Sequence, residues 1–374
     1  MDNKPNITPG PLTLTDENII DLPGLMSRWV RLADGRRAHY MTAGDKGPAV
    51  ILLHGGIEGS SGTAGWRFMA PYLGANGFRV YCPDQPSFGL SDISKPEYLE
   101  AGPKAKAAFV KEFADALCLD TFHLAGNSMG CIVSCDFLVA HPERVKSVMF
   151  IAGFLGDIVD APDVPPKDGK FNPAREYGVL TEWDGTEDGM RTLMDGIIYE
   201  RQAVWPELIK MRAIAASRAR KARIDAGMNQ RPIHRHAGVT DPNEKAVLST
   251  KGRLDKLTIP MIYMYGMQDV ILPVEMGYNQ EDSVPNIQFF YPTETGHQGQ
   301  TDRPATFNQV ALEFFRDGKV SWPTAVEAGV SLRRPINAKF VAEPKGGFPK
   351  PNPGMYVDPK HHAEGLKVLN SIPA

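Results

Sequence analysis

The chain has 374 residues, with 41 lysines and arginines against 44 aspartates and glutamates, a net charge of −3 and a pI near 6.3; that balance carries no electrostatic footprint for nucleic acid. No run approaches the roughly 18 apolar residues of a membrane span, and residues 1–24 are polar, carry Asp2, Asp16, Glu17 and Asp21, and lack the basic start and apolar core of a secretory signal. The expectation is a cytoplasmic protein with neither nucleic-acid nor membrane partners, in which Cys82, Cys118, Cys131 and Cys135, set mainly in apolar runs, are free buried thiols.

Residues 28–32 and 36–41 alternate about Ala33-Asp34-Gly35, which predicts an antiparallel hairpin. The continuous apolar run Ala49-Val50-Ile51-Leu52-Leu53 reads as a central buried strand that delivers the glycine-rich loop His54-Gly55-Gly56. Residues 79–82 form another short strand, followed by the breaker-rich stretch from Pro83 to Asp92 at the mouth of a sheet. Phe122-His123-Leu124-Ala125 is a further strand and residues 131–140 have helix-compatible composition, so Gly126-Asn127-Ser128-Met129-Gly130 sits where strand passes to helix. Glycines two residues to either side of Ser128 suit a strained turn packed too tightly for side chains.

Residues 145–151 are the next strand, after which the strand-helix alternation stops. Pro162, Pro165 and Pro166 cluster, and helical stretches follow near 187–202 and 206–226, the pattern of an inserted cap. Leu208, Met211, Ala215 and Ala219 recur at helical spacing opposite Arg218 and Lys221, predicting an amphipathic cap helix with a solvated charged face. Alternation resumes at Met261-Ile262-Tyr263-Met264-Tyr265, which leads into Gly266-Met267-Gln268-Asp269, and at residues 287–291, which lead to Gly296-His297. Residues 303–315 form a last helix with Asp302 as N-cap and Pro304 in its first turn. Beyond Gly318 the chain is rich in proline and glycine, and its apolar Trp322, Phe340, Phe348 and Tyr356 leave open whether it wraps its own core or reaches a second subunit of a homo-oligomer.

The expected organisation is an N-terminal arm (1–24), an α/β core (25–152 and 256–317), a cap or lid insertion (153–255) and a C-terminal extension (318–374). Its chemistry follows from three residues. A serine hydroxyl is a weak nucleophile at neutral pH, so it needs an imidazole to take its proton and a carboxylate to fix the imidazole's tautomer. Ser128, Asp269 and His297 fit those needs and occur in the serine, acid, histidine order of an α/β-hydrolase fold, a mostly parallel central sheet with helices on both faces and an inserted helical cap. Asp157, just after the preceding strand, is the alternative acid. Oxyanion amides come from the glycine-rich loop and from Met129 at the helix start. Glu58 reads as a solvated loop residue, and Cys131 and Cys135, one helical turn apart, as core. His234, His236, His361 and His362 lack ligand spacing, so no metal and no cofactor is expected.

Together, Leu52-Leu53-His54-Gly55-Gly56, Asp84-Gln85-Pro86-Ser87-Phe88-Gly89-Leu90-Ser91-Asp92, Gly126-Asn127-Ser128-Met129-Gly130, Gly266-Met267-Gln268-Asp269 and Gly296-His297 resemble the meta-cleavage-product hydrolases, the carbon–carbon bond hydrolases of aromatic-ring degradation. The resemblance implies Ser128 as nucleophile or water activator, His297 as base, Asp269 as its orienter, and Gly56 and Met129 as oxyanion amides. It also implies that Asn127, Gly55, Ile57 and Gln298 line the substrate site, and that Arg201 is the cap arginine gripping the carboxylate of an aromatic-derived substrate. The chain departs from the family in Gln298, where a tryptophan usually follows the histidine, and in Ile57-Glu58-Gly59, which replaces a glycine-proline-glycine pattern. Two other functions share this scaffold: an ester or lactone hydrolase for a bulky aromatic substrate, and a ligand-binding module that kept the fold.

Overall fold

A computed structural model of the chain describes residues 12–99, 103–158, 183–228, 242–243, 246, 249–356 and 367–374. The proline cluster at Pro162, Pro165 and Pro166 and the histidines His234, His236, His361 and His362 lie outside them.

Among the described residues, eight strands form one sheet in the order β1-β2-β4-β3-β5-β6-β7-β8. The hairpin of β1 (Met26–Arg31) and β2 (Arg37–Ala43) closes with Arg31 opposite Arg37, and β2 also pairs antiparallel with β4 (Arg79–Pro83). From there β3 (Ala49–Leu53), β5 (Phe122–Asn127), β6 (Val145–Ile151), β7 (Met261–Met264) and β8 (Gln288–Phe290) run parallel. The unbroken apolar runs follow from that arrangement: every residue of β3, β5 and β7 is buried because inner strands of a parallel sheet are covered on both faces, and the edge strand β8 is buried too, with Val330 of the C-terminal extension bridging to its Phe290. Helices Pro103–Ala116 and Met129–Ala140 pack as one pair, Met69–Ala75 and Pro304–Asp317 as another. Among the described residues, no helix is long and apolar enough to cross a membrane.

The segment between β6 and β7 carries helix Glu187–Ile197, a short turn Arg201–Ala203 and the long helix Pro206–Asp225. Leu208, Met211, Ala215 and Ala219 are buried as expected. Its charges do not form one solvated face. Lys221 pairs with Asp225 at the surface, but Arg218 donates to the Gly89 and Ser91 carbonyls, and Arg212 and Arg223 are buried. Glu58 is likewise no solvated residue: its side chain is 14 % exposed and lies 3.7 Å from Arg223. These cations tie the inserted helix to core loops, a tertiary use that helical periodicity does not encode.

The described part of the extension wraps its own core. Val330 bridges to Phe290 at the sheet edge, Val320 bridges to Val341, and the rings of Trp322 and Phe348 meet at 5.8 Å. Arg333 and Arg334 clamp the fully buried Glu281 at 3.3 and 3.5 Å, and Tyr291 donates to the same carboxylate at 2.8 Å. Replacing both arginines by alanine leaves that carboxylate desolvated without its cations, so unfolding in urea should show a loss of about 3–5 kcal/mol. Cys82, Cys131 and Cys135 are buried, whereas Cys118, expected with them, is exposed; none of the four is in a disulfide.

Candidate active site

Ser128 follows β5 directly and caps helix Met129–Ala140 with φ 55° and ψ −117°, a conformation that residues other than glycine avoid. The turn is held from both sides. Ser128 N–H donates to Ile151 O at 2.9 Å, its carbonyl accepts from Cys131 N–H, and a Cβ on Gly126 would lie 2.3 Å from Gly130 O. A Cβ on Gly130 would lie 2.2 Å from Leu53 O, so only glycine lets helix and β3 approach this closely. The turn thus presents Ser128 at the start of a helix, where the first amides, Met129 among them, lack intrahelical acceptors.

The loop after β3 faces the same turn. An ideal Cβ on Gly55 would be 3.2 Å from Ser128 Cβ, and one on Gly56 would be 3.1 Å from Met129 Cβ, so both predicted oxyanion amides belong to one cluster with the serine. His54 fixes this loop. Its Nδ1–H donates to Gly55 O at 2.7 Å and its Nε2 accepts Gln85 N–H at 3.0 Å, and burial lowers its pKa to about 4, which keeps the ring neutral. Asp84 secures the next loop, accepting from His39, Gly62 N–H and Leu90 N–H at 2.7 Å each. Burial pushes its carboxyl up, but His39, His54 and the Leu90 amide outweigh that and hold it below the usual carboxylate range. Ile57, partly buried beside the loop, accepts Ser60 N–H.

Asp269 and His297 are brought together behind the loops that follow β7 and β8. His297 Nδ1 lies 2.8 Å from Asp269 Oδ2, while Asp269 Oδ1 accepts the amides of Ile271 and Leu272 at 2.8 and 3.0 Å. The imidazole is 1 % exposed and, among the described residues, its Nε2 has no hydrogen-bond partner. Buried polar atoms without a hydrogen-bond partner are exceptions, and an imidazole nitrogen so placed has the capacity to accept one. Asp157, the alternative acid, is spent elsewhere: its oxygens accept from Ser249 Oγ, Thr250 N–H and Thr250 Oγ1.

Asn127 links the parts. Its Nδ2 donates to Ile151 O at 3.1 Å and to His297 O at 3.0 Å, fixing the histidine's main chain one residue from Ser128. Its side-chain donors therefore serve the scaffold. Gln298 is buried, and its carbonyl accepts Thr301 N–H and Asp302 N–H at the start of helix Gly299–Asp302. Arg201 does not turn into this cluster: it is 59 % exposed and lies 3.6 Å from Asp195.

Three residues that sequence reasoning passed over or misread complete the surroundings. Arg212 of the inserted helix is buried and donates to Glu58 O at 2.8 Å, on the continuation of the Gly55-Gly56 loop. Arg67, also buried, donates to Ala64 O and Ala203 O and stacks on Phe68 and Trp205; burial, then the nearby Arg212, lowers its pKa to about 9. Asp302 is not the N-cap of helix Pro304–Asp317, which starts after Arg303; its carboxylate accepts Gly296 N–H at 2.7 Å and Glu200 N–H at 3.1 Å. Pro304 does open the helix, but the carboxylate is taken by two backbone amides outside it, Gly296 six residues before and Glu200 in the inserted segment.

The family model described as alpha/beta hydrolase fold matches residues 48–304. A 2-hydroxy-6-oxononadienedioate/2-hydroxy-6-oxononatrienedioate hydrolase of Dechloromonas aromatica (strain RCB) is 26 % identical over 292 residues, 77 % of this chain and 94 % of that one. Among solved structures, 2-hydroxy-6-oxo-6-phenylhexa-2,4-dienoate hydrolase (BphD) from Rhodococcus sp. strain RHA1 superposes with a TM-score of 0.59 at 22 % identity, covering 78 % of this chain and 99 % of that one. A membrane phospholipase A described as a bacterial virulence factor superposes with a TM-score of 0.60 at 23 % identity over 79 % and 86 % of the two chains.

Proposed function

The chain belongs to the α/β-hydrolase fold family, and from that premise we propose that it is a serine hydrolase that cleaves a carbon–carbon bond beside a carbonyl in a dienone carboxylic acid derived from an opened aromatic ring. The observation that carries the hydrolase reading is the buried His297, tied through Nδ1 to Asp269 and left with an unpartnered Nε2, beside a strained serine turn. In this reading Asp269 fixes the tautomer that donates from Nδ1. Nε2 then takes the proton of Ser128, or of a water that Ser128 orients, as oxygen attacks the carbonyl. Gly56 and Met129 amides meet the oxyanion. The carbon–carbon bond breaks toward the dienol fragment, whose carbon receives the proton from His297. Where Ser128 itself attacks, a water that gives its proton to His297 then displaces the acyl group from Ser128 Oγ, which takes that proton back, so that in either route water is added across the bond. The insertion between β6 and β7, with its helices Glu187–Ile197 and Pro206–Asp225, serves as the cap on the substrate side.

The bond is the finer part of the proposal. Relatives named as dienoate and dienedioate hydrolases support it, whereas the fold itself is shared with a phospholipase and does not choose. A carboxylate-bearing substrate needs a cation. With Arg201 turned to Asp195, that role falls to Arg212, whose guanidinium meets the loop running on from the oxyanion glycines.

Loss of the dienone's absorbance gives the test. The acid should be consumed with kcat/KM well above any aryl ester. Arg212→Gln should lower kcat/KM for the acid more than for a neutral ester, by the worth of a charge-assisted contact, about 1.5–3 kcal/mol, because both substrates lose the bond to Glu58 O and only the acid loses its cation, while Arg201→Ala changes neither. Faster turnover of esters or lactones, with Arg212 indifferent, would leave the hydrolase and remove the carbon–carbon reading. A dienone bound without turnover would favour the binding module.

A further inference from the structure

We infer that Asp302 is a positioning residue of the proposed hydrolytic site: its carboxylate joins the loop that carries His297 to the inserted segment and holds the two in one register. The inference rests on the hydrolase reading above and names a control on that same site. Asp302 Oδ2 accepts Gly296 N–H, one residue ahead of the histidine, at 2.7 Å, and Oδ1 accepts Glu200 N–H from the inserted segment at 3.1 Å. The histidine's own main chain is tied to the same inserted segment and to the end of β5: its N–H donates to Ile197 O and its carbonyl accepts from Asn127 Nδ2, each at 3.0 Å. The seam has no slack, since a Cβ on Gly296 would lie 2.9 Å from Ile197 O and 3.4 Å from Asp302 Oδ2. One buried carboxylate thus keeps the amide before the base and an amide of the inserted segment from being orphaned together.

A carboxylate is the form that suits the bridge, because both of its oxygens accept. Protonation turns one oxygen into a donor facing an N–H, and that side of the bridge opens. Burial is the largest influence on Asp302 and raises its pKa to about 7; the amides of Glu200, Gly296 and Tyr199 pull it down, and the charge of Asp269 pushes it up. Arg67, beyond helix Gly62–Trp66, is the cation whose charge couples to it. Glu200 spends its own carboxylate on Gln202 N–H, and Arg201 pairs with Asp195. The linkage has the reverse of the usual carboxylate sign. The folded chain binds this proton more tightly than the unfolded chain does, so ionising Asp302 lowers stability as pH rises from the ordinary 3.8 through about 7. The charged bridge is held against that cost, and the site closes up as pH rises through the same range.

The test compares wild type, Asp302→Asn and Asp302→Glu in three measurements: the pH profile of kcat/KM on the dienone acid, the rate of labelling by a fluorophosphonate, and hydrogen exchange in peptides spanning 196–204 and 294–302. Asparagine keeps the shape but offers one acceptor and an NH2 that opposes an amide; glutamate keeps two acceptors. In Asp302→Asn the acid limb should move to lower pH, the plateau should fall between about tenfold and a hundredfold, the scale set by ångström misplacement of a catalytic group, and both peptides should exchange faster. Asp302→Glu should restore most of the limb. Unchanged kinetics in Asp302→Asn, with or without faster exchange, would overturn the positioning role and leave the hydrolase reading standing. A wild-type chain that neither turns over substrate nor reacts with the fluorophosphonate overturns the hydrolase reading itself, and the role of Asp302 falls with it.

Discussion

Ser128→Ala should abolish labelling by a fluorophosphonate and lower kcat on whichever substrate proves best by as much as about 10⁶-fold, the loss that follows removal of a nucleophile which acts as one unit with its base. The far-ultraviolet spectrum should not change. The turn is held by main-chain contacts, Ser128 N–H to Ile151 O and Ser128 O to Cys131 N–H, and by the close approach of Gly130 to Leu53 O, none of which involves the hydroxyl. Alanine meets the same positive φ as serine and inherits the same strain. Folding and chemistry therefore separate at this residue. Labelling that survives in Ser128→Ala would move the nucleophile elsewhere and would take with it the oxyanion roles of Gly56 and Met129, because those amides are placed by their contact with this one turn.

The sequence made this turn legible because its determinants are local. Apolar runs end in loops, glycines flank a serine, and the order of serine, acid and histidine fixes a topology with few alternatives; β3, β5, β6, β7 and β8 accordingly lie where their apolar runs predicted, within a residue or two at their ends. What the sequence hid is what depends on contacts between distant segments. Arg201 and Arg212 are both arginines on the inserted segment, and periodicity cannot tell that one turns to Asp195 while the other is buried against Glu58 O. Asp302 stood before a helix expected from residue 303 with Pro304 in its first turn and so looked like a cap, yet the helix starts after Arg303 and the Asp302 carboxylate is claimed by the amides of Gly296 and Glu200. Helix Val274–Ser283 gave no strong periodic signal, and its buried Glu281 makes sense only with Arg333 and Arg334, some fifty residues on. Local rules singled out Ser128, Asp269 and His297; the side chains packed around them had to be read from tertiary contacts.

The acid separates the same two kinds of knowledge, because Asp269 and Asp157 both sit on loops where a triad carboxylate could be placed. Asp269→Asn should lower kcat by about 10⁴-fold, the cost of presenting a histidine in the wrong tautomer while leaving it in place. The geometry gives the reason. Asp269 Oδ1 accepts two amides and Oδ2 accepts His297 Nδ1–H, so an asparagine that keeps its oxygen toward the amides turns its NH2 toward Nδ1. Nδ1 must then accept, the proton moves to Nε2, and the nitrogen that should take the serine's proton already carries one. Asp157→Asn should instead leave kcat near wild type and act on stability, because its partners are Ser249 and Thr250, in the stretch that returns the chain from the inserted segment to β7. Measuring kcat alongside urea unfolding for both variants distinguishes the two carboxylates. Loss of stability with kcat retained in Asp269→Asn, or equal losses of kcat in both variants, would detach the acid from the histidine it touches and leave its 2.8 Å contact a packing feature.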